Sequence, residues 1–148
     1  MKLQKATLFA LFSVLELARD PARQMSAAEI AEAYGISVNH LAKVLRKLGR
    51  AGLVEAVRGV GGGYRFSGNV KRTSLYDVID LFGDIVTDAS EMPGPAGETA
   101  GETDVAQALG RVLTEIDEIA VATLKSISLA TLLKSLPRPE ERRIAGAH

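Results

Sequence analysis

Two serines with a glycine between them impose the strongest constraint on how this chain folds. In "SAAEIAEAYGISVNHLAKVLRKLGRAGLV", Ser26 stands three residues before Glu29, the spacing of a capping box that satisfies orphan amides at a helix start. Ile30, Ala31 and Tyr34 give the short helix that follows an inner face. Gly35 comes next, where a left-handed residue closes a helix. Ser37 then caps a second helix with Leu41, Val44, Leu45 and Leu48 on its inner face, and Gly49 and Gly52 end it. Two short helices on a tight glycine turn form a helix-turn-helix.

The continuation sharpens this. "LVEAV" (Leu53–Val57) alternates and is β-branched, and "YRF" (Tyr64–Phe66) returns as its antiparallel partner. Glycine fills four of the five positions 59 to 63 between them, as a tight hairpin tip that needs positive φ angles requires. A dinucleotide fingerprint starting at Gly59 would need glycine where Tyr64 stands and a helix after it. A Walker loop would need Gly-Lys-Ser/Thr, which is absent. The hairpin is a wing.

The flanking segments are helical. Leu8, Leu11, Phe12, Leu15 and Ala18 recur at helical spacing between Lys2 and Arg19, and Pro21 ends that helix. After the wing, Ser74 with Asp77 caps a short helix carrying Leu75, Val78, Ile79, Leu81 and Phe82. "TDASEMPGPAGETAGETD" (87–104) has no helical period and reads as an acidic loop. Val105, Leu109, Val112, Ile116, Ile119 and Thr123 then follow alternating steps of four and three, a short heptad seam that suits a second copy of the same helix, although a core helix in a monomer shares the spacing. "SISLATLLKSL" (126–136) is a final apolar element and residues 137–148 a solvated tail. The expected architecture is mainly α with a small β-hairpin wing. It comprises a winged helix-turn-helix domain over 1–72, then a linker helix, acidic loop and dimerisation helix over 73–136.

A net charge of zero conceals a polarity. Residues 1–72 hold 12 lysines and arginines against 5 acids, and residues 73–148 hold 6 against 13. A basic half beside an acidic one points to a polyanion as partner of the first. A winged helix reads DNA with its second helix in the major groove and its wing on backbone or minor groove. Asn39 can pair with adenine, Lys43 with guanine or phosphate, and His40 is a donor or stacking contact. Arg46, Lys47 and Arg50 suit phosphates, and Arg58 at the wing shoulder suits a narrow minor groove. The candidate contact set is Ser37, Asn39, His40, Lys43, Arg46, Lys47, Arg50, Arg58, Gly59 and Tyr64.

An enzyme is disfavoured. The two histidines are His40, on the presumed DNA face, and His148 in the tail, and no nucleophile–base pair is visible. The chain has no cysteine, hence no disulfide and no thiolate metal site. No apolar run reaches the roughly 18 residues of a membrane span, and the start lacks the pattern of a signal peptide. The cytoplasm is the expected location.

The order of these parts resembles the Rrf2 family of bacterial winged-helix transcription regulators, the group containing the IscR and NsrR types. The resemblance is carried by "KATLFALFSVLELA", the stretch from Ser26 to Phe66, "SLYDVIDLF" and "ISLATLL". Its most specific part is "GLV-x-x-x-RG-x-GGGY". The resemblance implies a homodimer on a pseudo-palindromic operator, with recognition contacts at Asn39, His40, Ala42 and Lys43 and a wing arginine at Arg58. Many members hold an iron–sulfur cluster through three cysteines in the loop before the long helix. Here that loop has neither cysteine nor histidine, and Leu8 stands where some relatives place a further ligand. Carboxylates at Asp84, Asp88, Glu91, Glu98, Glu102 and Asp104 match no calcium-loop spacing, and Met92 is a poor haem ligand. The expectation is a sequence-specific DNA-binding regulator, a repressor and homodimer, with no cofactor or metal. Its input is open among a small molecule in the dimer interface, a partner protein on the acidic loop, or no ligand. The alternative is a winged helix serving as a protein-interaction module.

Overall fold

The computed structural model describes residues 3–83 and 103–137. Its elements run α1 (Lys5–Ala18), α2 (Ala27–Tyr34), α3 (Val38–Arg50), β1 (Val54–Val57), β2 (Gly63–Phe66), α4 (Leu75–Asp80), α5 (Asp104–Ser126) and α6 (Leu129–Lys134). The acidic stretch expected over 87–104 lies outside the described residues except for its end. There Thr103 caps α5 by accepting from the Ala106 amide, and Asp104 is already helical. The tail beyond Pro137 is likewise outside them.

The helix pair forms as its caps dictate. The Ser26 hydroxyl accepts from the Glu29 amide and the Ser37 hydroxyl from that of His40. Only the serine half of the expected capping box appears at Ser26. The reciprocal box is found at α4, where Ser74 and Asp77 satisfy one another's amides. Gly35 takes the left-handed conformation at φ 64°. On α3, Leu41, Val44, Leu45 and Leu48 are all buried. Gly49 does not end the helix but sits inside its last turn, and Gly52 at φ 79° makes the turn into β1.

α1 is the central helix, packed against α3, α4 and β2. Its buried face is Thr7, Ala10, Ser13, Val14, Leu17 and Ala18, displaced from the Leu8–Phe12 stripe that the large side chains suggest. Small residues let neighbouring backbones approach, and the fully buried Ser13 hydroxyl is satisfied by donating to the Phe9 carbonyl at 2.7 Å. Leu8 and Phe12 lie outside, and Phe12 stacks on Tyr34 with ring centroids 4.9 Å apart. Tyr34 therefore does not belong to the inner face of α2, which is left to Ile30 and Ala31.

β1 and β2 pair antiparallel with Val54 opposite Phe66 and Val57 opposite Gly63. A third segment joins them: Met25, between α1 and α2, forms a bridge with Tyr64. At the tip Gly59 and Gly61 have φ of 114° and 75°, the positive angles that glycine adopts at little steric cost. Gly63 serves a different purpose, since a Cβ there would sit 2.5 Å from the Met25 carbonyl oxygen.

The C-terminal end returns to the head. Leu75 donates to the Ile127 carbonyl, Leu129 to that of Thr73 and Ala130 to that of Val70. Leu129 is fully buried in the same core cluster as Leu41, Leu45, Val14 and Val78. The core thus continues across the boundary expected at residues 72 and 73, with α4 and α6 completing the head. α5 differs: of its 23 residues only Leu124 is buried.

Candidate nucleic-acid interface

α3 has one face in the core, so its opposite face is fixed in space. Asn39, Lys43, Arg46 and Arg50, spaced by four, three and four residues, all fall on that exposed face. The leucine rotamers beneath, at 0–2% exposure from Leu41 to Leu48, hold this row rigidly. Glu55 is the one acid between residues 37 and 65, and it is engaged with Arg65, its direct partner across the wing. Among the described residues no carboxylate pairs with Lys43, Arg46 or Arg50, the three cations beside an amide that can read bases.

His40 and Lys47 occupy the flank of that row, seven residues apart. The His40 ring meets the edge of Phe9 from α1, centroids 5.1 Å apart. The Lys47 ammonium lies 4.9 Å over the centre of the Phe82 ring, just beyond α4. Both remain solvent-exposed. Ser37 is also exposed, but its hydroxyl already serves the helix start.

On the wing, Arg58 and Gly59 are exposed at the tip. Tyr64, from the expected contact set, has a structural role at the base of the wing. It is half-buried against the core, and its backbone amide and carbonyl are both bonded to Met25. It anchors the wing.

Sequence reasoning missed three residues around this surface: Met25, Phe9 and Phe82. Each touches it from an element distant in sequence, so no local periodicity marks them. The six seam residues, Val105, Leu109, Val112, Ile116, Ile119 and Thr123, lie exposed along one face of α5. Among the described residues no helix is long and apolar enough to cross a membrane.

The Rrf2 family model, described as an iron-dependent transcriptional regulator, matches residues 3–135. A protein of Rhodopseudomonas palustris named as the HTH-type transcriptional regulator BadM is 51% identical over 99% of this chain and 92% of its own length. The HTH-type transcriptional regulator IscR of Xenorhabdus nematophila is 32% identical over 91% of this chain and 80% of its own. Among solved structures, IscR of T. potens matches with a TM-score of 0.69 at 21% identity, covering 96% of each chain. The oxidized form of Staphylococcus aureus CymR matches at 0.72 and 23%, covering 93% of this chain and all of that one. The iron in the family description finds no thiolate here, because the sequence contains no cysteine. Among the described residues no three histidine or acidic side chains gather as a metal-binding group. The donor set does not fit an iron–sulfur cluster.

Proposed function

The chain belongs to the Rrf2 family of transcriptional regulators, whose members are not enzymes, and from that premise we propose that it is a cytoplasmic repressor. In this reading it binds a pseudo-palindromic operator as a homodimer and responds to a signal other than an iron–sulfur cluster. One observation carries the reading: the row Asn39, Lys43, Arg46 and Arg50 on the open face of a helix whose other face is wholly buried. α3 enters the major groove with Asn39 and Lys43 at base edges. Arg46, Arg50 and, from the flank, Lys47 meet phosphates, which position the protein without reading sequence. Arg58 reaches the adjoining minor groove, where its charge is attracted to concentrated negative potential. The exposed apolar seam of α5 favours a second copy as its cover: five large aliphatic side chains at 50–78% exposure are costly to leave in water.

The test is fluorescence anisotropy on the DNA upstream of the chain's own gene, against scrambled DNA of equal length, over a salt series. A preference of about a hundredfold or more for the upstream DNA is expected, within the range of specific over non-specific binding. Transcription from that DNA in vitro should fall as protein is added. Equal, weak and salt-labile binding to both duplexes would overturn the operator reading.

A further inference from the structure

The flank of the recognition helix carries a contact that DNA binding alone does not require. Lys47 is a long side chain on the exposed side of α3, whereas Phe82 is anchored. The Phe82 amide donates to the Ile79 carbonyl at 3.0 Å in the turn that closes α4, and its ring is half-buried against the core. The ammonium lies 4.9 Å from the ring centre, within the range where the negative face of the ring attracts a cation. Among the described residues no carboxylate pairs with Lys47, and the ring orients its charge without neutralising it.

We propose that Phe82 is a positioning residue for DNA binding: its ring holds the Lys47 ammonium at the edge of α3, ordered in advance for a phosphate. The inference rests on the DNA-binding reading of α3 and adds a residue of α4 to it. A free lysine loses considerable rotamer entropy when it is immobilised on a phosphate. A lysine already resting on an aromatic face has lost part of it in the unbound protein, and the contact is weak enough to leave the charge available. Lys47 stands one helical turn beyond Lys43, so it extends the basic row toward the backbone.

A double-mutant cycle with Phe82→Leu and Lys47→Gln tests this, read as affinity for upstream and scrambled DNA across a salt series. Phe82→Leu keeps the apolar volume and removes the ring. It should weaken binding to both duplexes equally, by about three- to tenfold, from the regained lysine entropy. Lys47→Gln should flatten the slope of log K against log salt by about 0.9, and the double variant should match Lys47→Gln alone. Phe82→Tyr, which retains the ring, should bind like the parent. In the free protein, ring current should shift the Lys47 ε-protons upfield, and Phe82→Leu should abolish that shift.

A full additional loss from Phe82→Leu in the Lys47→Gln background would overturn the proposal, leaving Phe82 a packing residue. So would tighter binding with a steeper salt slope, since Lys47 would then be held away from DNA. An upfield shift in a parent protein that binds no DNA would leave the contact real but overturn the DNA-binding reading and this role with it.

Discussion

The backbones of Met25 and Tyr64 exchange two hydrogen bonds, of 2.9 and 2.7 Å, that tie the wing to the connection between α1 and α2. The approach is close enough that only glycine fits beside it, because a Cβ on Gly63 would meet the Met25 carbonyl oxygen at 2.5 Å. Gly63→Ala should therefore lower stability by about 1–3 kcal/mol, the usual cost of forcing atoms into a filled site. Urea denaturation followed by circular dichroism would measure it. A loss of only a few tenths of a kcal/mol would mean the wing shifts freely.

Leu129 and Leu8 make a contrasting pair. Leu129 is fully buried although it lies near the end of the described chain, whereas Leu8 in α1 is 36% exposed. Leu129→Ala should cost about 2–5 kcal/mol, and Leu8→Ala roughly a quarter of that or less. The same denaturation series ranks them. The reverse order would contradict the placement of α6 in the head's core.

On α5, Ile116 and Ile119 are 55% and 60% exposed. Replacing both by glutamate should convert a dimer to a monomer in sedimentation velocity, because two charges would enter an apolar seam on each side. The helical signal of the head should survive, since neither side chain contributes to its core. A protein that sediments as a monomer before substitution would leave the seam without its proposed partner.

For DNA, Asn39→Ala and Arg46→Ala should separate. Asn39→Ala should relax preference at one base position, at a cost of about 1–3 kcal/mol on the operator and little on scrambled DNA. Arg46→Ala should weaken both complexes alike and reduce the salt slope by about 0.9. Identical behaviour of the two variants would refute the division between base and phosphate contacts.

The helix pair, the hairpin and the exposed row on α3 were legible in the sequence because each is set by local chemistry. A serine cap, a left-handed glycine and a four-three apolar spacing act within a few residues. The inner face of α1 is shifted from the expected one for a physical reason: size suggests Leu8 and Phe12, but a helix hemmed in by α3, α4 and β2 buries Ala10, Ser13 and Val14, with Ala18 as expected. Gly63 was recognised as a hairpin glycine, while its actual neighbour, Met25, lies 38 positions earlier. The pairing of Tyr64 with Met25 is hidden for the same reason. Long-range contacts such as Phe82 to Lys47 leave no trace in periodicity.

The return of α6 to the head gives α5 a mechanical meaning. Three backbone hydrogen bonds clamp residues 127–130 to the segment around Thr73, so the helix cannot pivot at that end without tearing them. Its 23 residues span about 34 Å at a rise of ~1.5 Å each, close to one turn of duplex DNA. Two such rods paired along their seams would act as a ruler, fixing the distance between reading heads in the protein. An operator lengthened by half a turn would then present one half-site on the far side of the duplex, out of reach of a frame that does not stretch.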